Sequence, residues 1–138
     1  MKREDIPDTA VYTRYRVAYA DTDMMGVVYY GNYLTLFERA RNELMCARGP
    51  SYAEMEAGGM MLPVTEAHVD YFSPAFYDDE LDIAAWVGET RAARCKVCCA
   101  VIRGGAVLAC GWTVHACVDA KTRRPVRLPQ WLADSQDS

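Results

Sequence analysis

One apolar stripe at helical spacing stands alone among segments that alternate with a period of two, and this contrast limits the folds open to the chain. Tyr33, Leu36, Phe37, Ala40, Leu44 and Ala47 recur at steps of three and four, while Glu38, Arg39, Arg41, Asn42 and Glu43 fill the other face. That is the pattern of an amphipathic helix. Its end is marked by Arg48, which suits the negative pole, by Gly49, which can take a left-handed C-terminal conformation, and by Pro50, which cannot continue the hydrogen-bond ladder. The period-two segments are residues 11–19, 60–72, 81–87, 95–101 and 106–118, with Pro63 implying an edge or a bulge in the second. Gly104-Gly105 marks a tight hairpin between the last two. One long helix and about five mostly antiparallel strands make an α+β domain whose helix must bury its stripe against one sheet. A single helix leaves part of a broad sheet uncovered, and an open edge invites a second copy, so a homodimer is expected.

The 138 residues suit one domain spanning 1–138, with 1–10 and 132–138 read as loose ends. At 51% hydrophobic and 25% charged residues the composition calls for a packed core, and a net charge of -4 argues against a general nucleic-acid surface. No apolar run approaches the roughly 20 residues of a membrane span, and the first residues lack the apolar core of a signal peptide, so no membrane insertion and a cytoplasmic location are expected. The six cysteines sit mostly in strand patterns and read as buried free thiols.

Between the first strand and the helix, residues 19–33 place Asp21, Asp23 and Gly26 just before the helix N-terminus. A carboxylate beside unsatisfied backbone N–H groups supplies a base or nucleophile together with donors for a developing oxyanion. On these grounds both aspartates are equal candidates. A calcium loop would use Asp21, Asp23 and Gly26 at its first, third and sixth positions, but Met25 and Asn32 stand where its fifth and twelfth should be, so no metal is expected. Cys95 and Cys98 imitate a redox or zinc pair, yet residues three apart on a strand point to opposite faces. His68 and His115 lie within strand patterns and read as structural, and no serine elbow is present.

Asp21-Thr22-Asp23, Gly26-Val27-Val28-Tyr29, Asn32-Tyr33, Phe37-Glu38-Arg39-Ala40-Arg41, Tyr71-Phe72-Ser73-Pro74-Ala75, Asp78-Asp79-Glu80-Leu81 and Cys117-Val118-Asp119 follow one another in order. Together they resemble the hotdog-fold acyl-CoA thioesterases of the 4-hydroxybenzoyl-CoA thioesterase family, most closely its Tol-Pal-associated branch, over residues 11 to about 130. The resemblance implies a hotdog fold, with a long central helix wrapped by an antiparallel sheet, and active sites at a dimer interface, with tetramers common. It implies hydrolysis of an acyl-CoA without a cofactor, Asp23 being the catalytic carboxylate and Asp21 the weaker candidate. The resemblance also implies that the Tyr30 backbone N–H is the donor to the thioester carbonyl; many relatives of that branch carry histidine here, whose side-chain role cannot operate in this chain. Gly26, Val27, Val28 and Asn32 are read as pocket residues, with a plain turn and helix capping as the alternatives for Gly26 and Asn32. Glu38 is a pocket or interface group or a solvated face. Arg91 and Arg94 are candidates for the coenzyme A phosphates, and the run Lys121, Arg123, Arg124 and Arg127 is a second one, each against an ordinary charged turn. Two other functions stay open: a hotdog hydratase acting on acyl thioesters, and a non-catalytic module contacting an acyl carrier or the envelope machinery.

Overall fold

The computed structural model describes residues 1–137, apart from the side chain of Tyr52. Strand β1 (Val11–Arg16) leads through a short 3-10 turn at Tyr19–Asp21 to helix α1 (Asn32–Arg48). Helix α2 (Tyr52–Ala57), β2 (Met60–Met61), β3 (Val64–Tyr71), β4 (Glu80–Arg91), β5 (Arg94–Arg103), β6 (Ala106–Ala116), β7 (Val118–Asp119) and α3 (Gln130–Ala133) follow. Five strands form one antiparallel sheet in the order β1-β4-β5-β6-β3, and β2 pairs with β7. The expected helix against a five-stranded sheet is therefore what the chain builds.

Phe37, Ala40, Leu44 and Met45 of α1 are buried against the inward residues Leu81, Ile83, Ala85 and Val87 of β4 and Val97, Cys99 and Val101 of β5. Each large side chain so removed from water stabilises the fold by roughly 1.5–3 kcal/mol before entropy is counted. The alternation of inward and outward residues comes from the pleat, and it puts Cys95 in this core while Cys98 packs on the outer face with Ala84, Trp86 and Ala100. All six cysteines are free thiols, but only Cys95, Cys99 and Cys117 are buried as expected; Cys98 and Cys110 are half-buried and Cys46 is exposed on α1. At the predicted hairpin, Gly104 has φ 60° and joins β5 to β6 with a two-residue connection.

Three expectations need correction. The extended segment 60–72 is two strands, because Pro63 has no N–H for a ladder; β2 leaves for β7, and β3 starts with a bulge between Val64 and Glu66 at the edge of the main sheet. Gly49 is not left-handed: its φ is -165°, ordinary extended backbone, and the reason for glycine is space, since a Cβ would lie 2.6 Å from the Trp131 ring. The ends are also not loose. Ile6 is buried under the outer face of the sheet, Leu132 is fully buried, and the side chain of Asp137 joins Arg48, Thr9 and the Val87 N–H. A polar tail with a few buried anchors lacks the periodicity that would reveal it; of the residues read as a loose end, Ser138 lies outside the described residues.

Candidate active site

The acidic loop is shaped by its own backbone. Thr22 bridges to Val28, the Asp23 N–H donates to the Val27 carbonyl at 2.9 Å, and the Gly26 N–H returns to the Asp23 carbonyl at 3.0 Å. Gly26 sits at φ 79° with nothing within 4 Å of where a Cβ would stand, so backbone conformation and not close packing calls for glycine. The loop is then laid against the segment before β4: Val27 bridges to Phe76, and the Val28 N–H donates to the Ala75 carbonyl at 2.9 Å.

These contacts separate the two aspartates. The Asp21 carboxylate accepts the Tyr15 hydroxyl at 2.5 Å and the Ala18 N–H at 2.8 Å, so it is committed to holding β1 and the 3-10 turn together. The hydrogen bond to Asp21, followed by burial, pushes the Tyr15 phenol above its ordinary value, which keeps it a donor. The Asp21 carbonyl takes the Asn32 side-chain amide at 2.9 Å and the Tyr29 N–H at 2.9 Å. Asp23 has one carboxylate contact, from the Met25 N–H at 2.9 Å, and no ion pair among the described residues. It lines a groove of about 290 Å³ whose walls include Val27, Val28, Tyr30, Tyr71, Phe72 and Pro74. The carboxylate free to meet a ligand is thus Asp23.

Tyr30 precedes Gly31, the N-cap of α1, where no side chain caps the helix. The Asn32 and Tyr33 N–H groups turn back to the carbonyls of Tyr29 and Tyr30, whereas the N–H groups of Tyr30 and Gly31 find no acceptor among the described residues. A trans peptide points its N–H opposite to its carbonyl, so both amides face out of the helix N-terminus, where the α1 dipole adds about half a positive charge. The site therefore combines an available carboxylate, two unclaimed amides and an apolar wall. Such a set can hold a carbonyl group and stabilise negative charge as it builds on the oxygen.

Not every expected residue joins it. Val27 and Val28 line the groove, although Val28 is also a core residue. Asn32 does not: its amide is spent on the Asp21 carbonyl, and it borders a smaller cleft with Tyr15 and Arg39. Glu38 is exposed on the helix surface. Arg91 and Arg94 share a separate concavity with Glu66, Glu89 and Lys96, and Arg91 pairs with Glu89 at 2.6 Å. Arg94 lies opposite Ala116 of β6 and Tyr71 opposite Ala109, a separation of about 23 Å along the strand at the usual rise. Lys121, Arg123 and Arg124 belong to a turn closed by the Asp119 carboxylate and carbonyl. His115 is buried between the Leu62 carbonyl at 2.9 Å and the Thr113 hydroxyl at 2.8 Å, and burial lowers its pKa to about 4, so it stays neutral. His68 stacks on Trp112 with ring centroids 4.3 Å apart.

Tyr33, Tyr71, Phe72 and Pro74 also line the groove, although none of them is among the residues expected there. Tyr71 ends the exposed edge strand and is 49% exposed, and Phe72 beside it is 50% exposed, an aromatic cluster with no core to fill. Two adjacent aromatics before Ser73-Pro74, at the end of a strand marked as an edge by Pro63, were the available signal.

A long helix cradled by a five-stranded antiparallel sheet, with an acidic loop at the helix N-terminus, defines a hotdog-fold domain of the thioesterase kind. Residues 17–136 match the thioesterase-like superfamily, and the chain belongs to it. It is 30% identical over 116 residues to the acyl-CoA thioester hydrolase YbgC of Escherichia coli O157:H7, covering 83% of this chain and 87% of that protein. It is 28% identical over 127 residues to the 1,4-dihydroxy-2-naphthoyl-CoA hydrolase of Synechococcus elongatus, covering 88% and 93%. Among solved structures, the DHNA-CoA thioesterase from Staphylococcus aureus superposes with a TM-score of 0.83 at 34% identity, over 91% of this chain and 85% of that one. No helix among the described residues is long and apolar enough to cross a membrane.

Proposed function

We propose that this chain hydrolyses an acyl-CoA thioester to the free acid and coenzyme A. The names of its relatives support the reaction class. The observation that carries the assignment of residues is that Asp23 and Tyr30 line one groove at the helix N-terminus, whereas the Asp21 carboxylate is engaged by the Tyr15 hydroxyl and the Ala18 N–H. The thioester carbonyl oxygen accepts the Tyr30 N–H, and a well-placed donor of this kind lowers the barrier by about 2.7–4 kcal/mol as charge develops. Asp23 then acts in one of two ways. As nucleophile it forms a bond to the acyl carbon, the C–S bond breaks, coenzyme A leaves as thiolate, and water hydrolyses the mixed anhydride. As base it takes a proton from an attacking water and the proton ends on the leaving thiolate.

The groove is open on one side, and a second copy is the proposed completion. The β3 edge is exposed along nearly its whole length, and Met24, Met25, Tyr30 and Phe72 at the groove rim are exposed apolar groups. Arg94 lies about 23 Å along the strand from Tyr71 at the groove, and in the proposed reading Arg91 and Arg94 contact the coenzyme A phosphates of a site completed by a second copy. A cytoplasmic location fits six free thiols.

The test is a panel of aromatic and aliphatic acyl-CoAs, with thiol release and acid formation measured together and assembly followed by light scattering. Wild type should release acid and thiol in equal amounts, and Asp23→Asn should lose about 10²–10⁴ in kcat while staying folded and dimeric. Wild-type rates in that variant would exclude Asp23 from the chemistry, and a hydrated thioester as product would exclude hydrolysis.

A further inference from the structure

Tyr71 and Tyr30 are 41 residues apart in sequence, yet the Tyr71 hydroxyl donates to the Tyr30 carbonyl at 2.8 Å. That carbonyl also receives the Tyr33 N–H, at a longer 3.3 Å. The Tyr71 ring is held from the helix side by Tyr33, edge to face at 5.1 Å and 88°, and Tyr33 is itself buried to 3% exposure. From the sheet side it is held by pairing of Tyr71 with Ala109 and by the Phe72 N–H on the Leu108 carbonyl at 2.8 Å. The end of β3 therefore reaches the Tyr30–Gly31 peptide, just before the uncapped start of α1.

We infer that Tyr71 is a positioning residue for the oxyanion donors: its hydroxyl fixes the Tyr30 carbonyl and thereby orients the Gly31 amide of the same peptide unit, so that it joins the neighbouring Tyr30 amide in facing the substrate carbonyl. Gly31 supplies no capping side chain, and glycine is the residue least able to hold a backbone direction by itself. Without an external anchor, the peptide plane between Tyr30 and Gly31 rests on the long Tyr33 bond alone. A hydrogen bond accepted at a peptide carbonyl also polarises the N–H of the same unit, here that of Gly31. The phenol suits this duty because burial raises its pKa above the ordinary tyrosine value, so it remains a donor. This inference rests on the proposed hydrolysis at the Asp23 groove.

The experiment compares wild type, Tyr71→Phe and Asp23→Asn in steady-state hydrolysis of an acyl-CoA that the wild type accepts, with Tm and the ¹⁵N–¹H amide shifts of Tyr30 and Gly31. Tyr71 is 49% exposed and the substitution keeps its ring, so the Phe variant retains the Tyr33 contact. The expected result is a fall in kcat of about three- to tenfold with KM nearly constant, the size set by one neutral hydrogen bond felt in the transition state. The Tyr30 and Gly31 amide signals should shift while those of the α1 core around Phe37 stay put. An unchanged kcat, or a rise confined to KM, overturns the inference. If Asp23→Asn is inactive and Tyr71→Phe is not impaired, this inference alone falls; if Asp23→Asn keeps full activity, the reading of the site falls with it.

Discussion

Replacing Asp137 by alanine tests the role of the C-terminal segment. Its carboxylate sits at 6% side-chain exposure, 2.6 Å from Arg48, which is 16% exposed. It also accepts the Thr9 hydroxyl at 2.5 Å and the Val87 N–H at 2.8 Å. Burial alone would raise its pKa, but the bonds from Arg48, Thr9 and Val87 outweigh this and hold it below the usual carboxylate range. One side chain thus joins the N-terminal segment, the end of α1, β4 and the tail. In the Asp137→Ala variant the guanidinium keeps the Ser135 carbonyl at 3.0 Å and the Thr9 carbonyl at 2.7 Å, but loses its only countercharge among the described residues. Breaking a buried pair by removing one partner costs about 3–5 kcal/mol, and the residual carbonyl contacts place this case near 3. With an unfolding entropy of about 0.3 kcal/mol/K for 138 residues, Tm should fall by about 10 °C in a calorimetric scan at pH 7. The double variant Arg48→Met with Asp137→Leu, which leaves no charge stranded, should recover part of that loss. A Tm within about 2 °C of wild type for Asp137→Ala would refute the reasoning and restore the picture of a loose tail.

Two further outcomes follow from buried or committed groups. His115 has a folded pKa near 4 against an ordinary 6.5, so the unfolded chain takes up a proton that the fold excludes. Its contribution is complete above pH 6.5 and is lost as pH falls toward 4, about 3 kcal/mol in all. Urea unfolding between pH 7 and 4 should show that slope in wild type and not in His115→Asn; equal slopes would exclude His115 as its source. Asp21→Asn weakens the acceptor for the Tyr15 hydroxyl and the Ala18 N–H and should cost about 1–2 kcal/mol of stability. Asp23→Asn should leave Tm nearly unchanged, and the reverse order of stabilities would contradict the division of labour between the two aspartates.

Features set by short-range rules were legible in the chain. The stripe read from Tyr33 to Ala47 became the buried face of α1 as far as Leu44, while Ala47 in the last turn is exposed, and Gly104 took the positive φ that the hairpin needs. Alternation placed Cys95 and Cys98 on opposite faces. Residues whose reasons are long-range were misread or missed. Gly49 is set by Trp131, 82 positions later, and the tail by Arg48 and Val87. Asn32 carries a pocket-like residue type at a pocket-like position, but its amide is taken by the Asp21 carbonyl and it does not line the groove.

By itself the sequence determined the inventory: one amphipathic helix, about five alternating strands, and two aspartates just before a helix N-terminus. Periodicity does this because side-chain direction repeats with the local backbone geometry. Only the tertiary structure decided which aspartate remains available, since that depends on Tyr15 reaching Asp21. It likewise decided that a tyrosine at the edge of the sheet bonds the peptide just before the helix. Hydrogen bonds between segments far apart in the chain leave no periodic trace, because their partners are brought together only when the helix stripe is buried against the sheet.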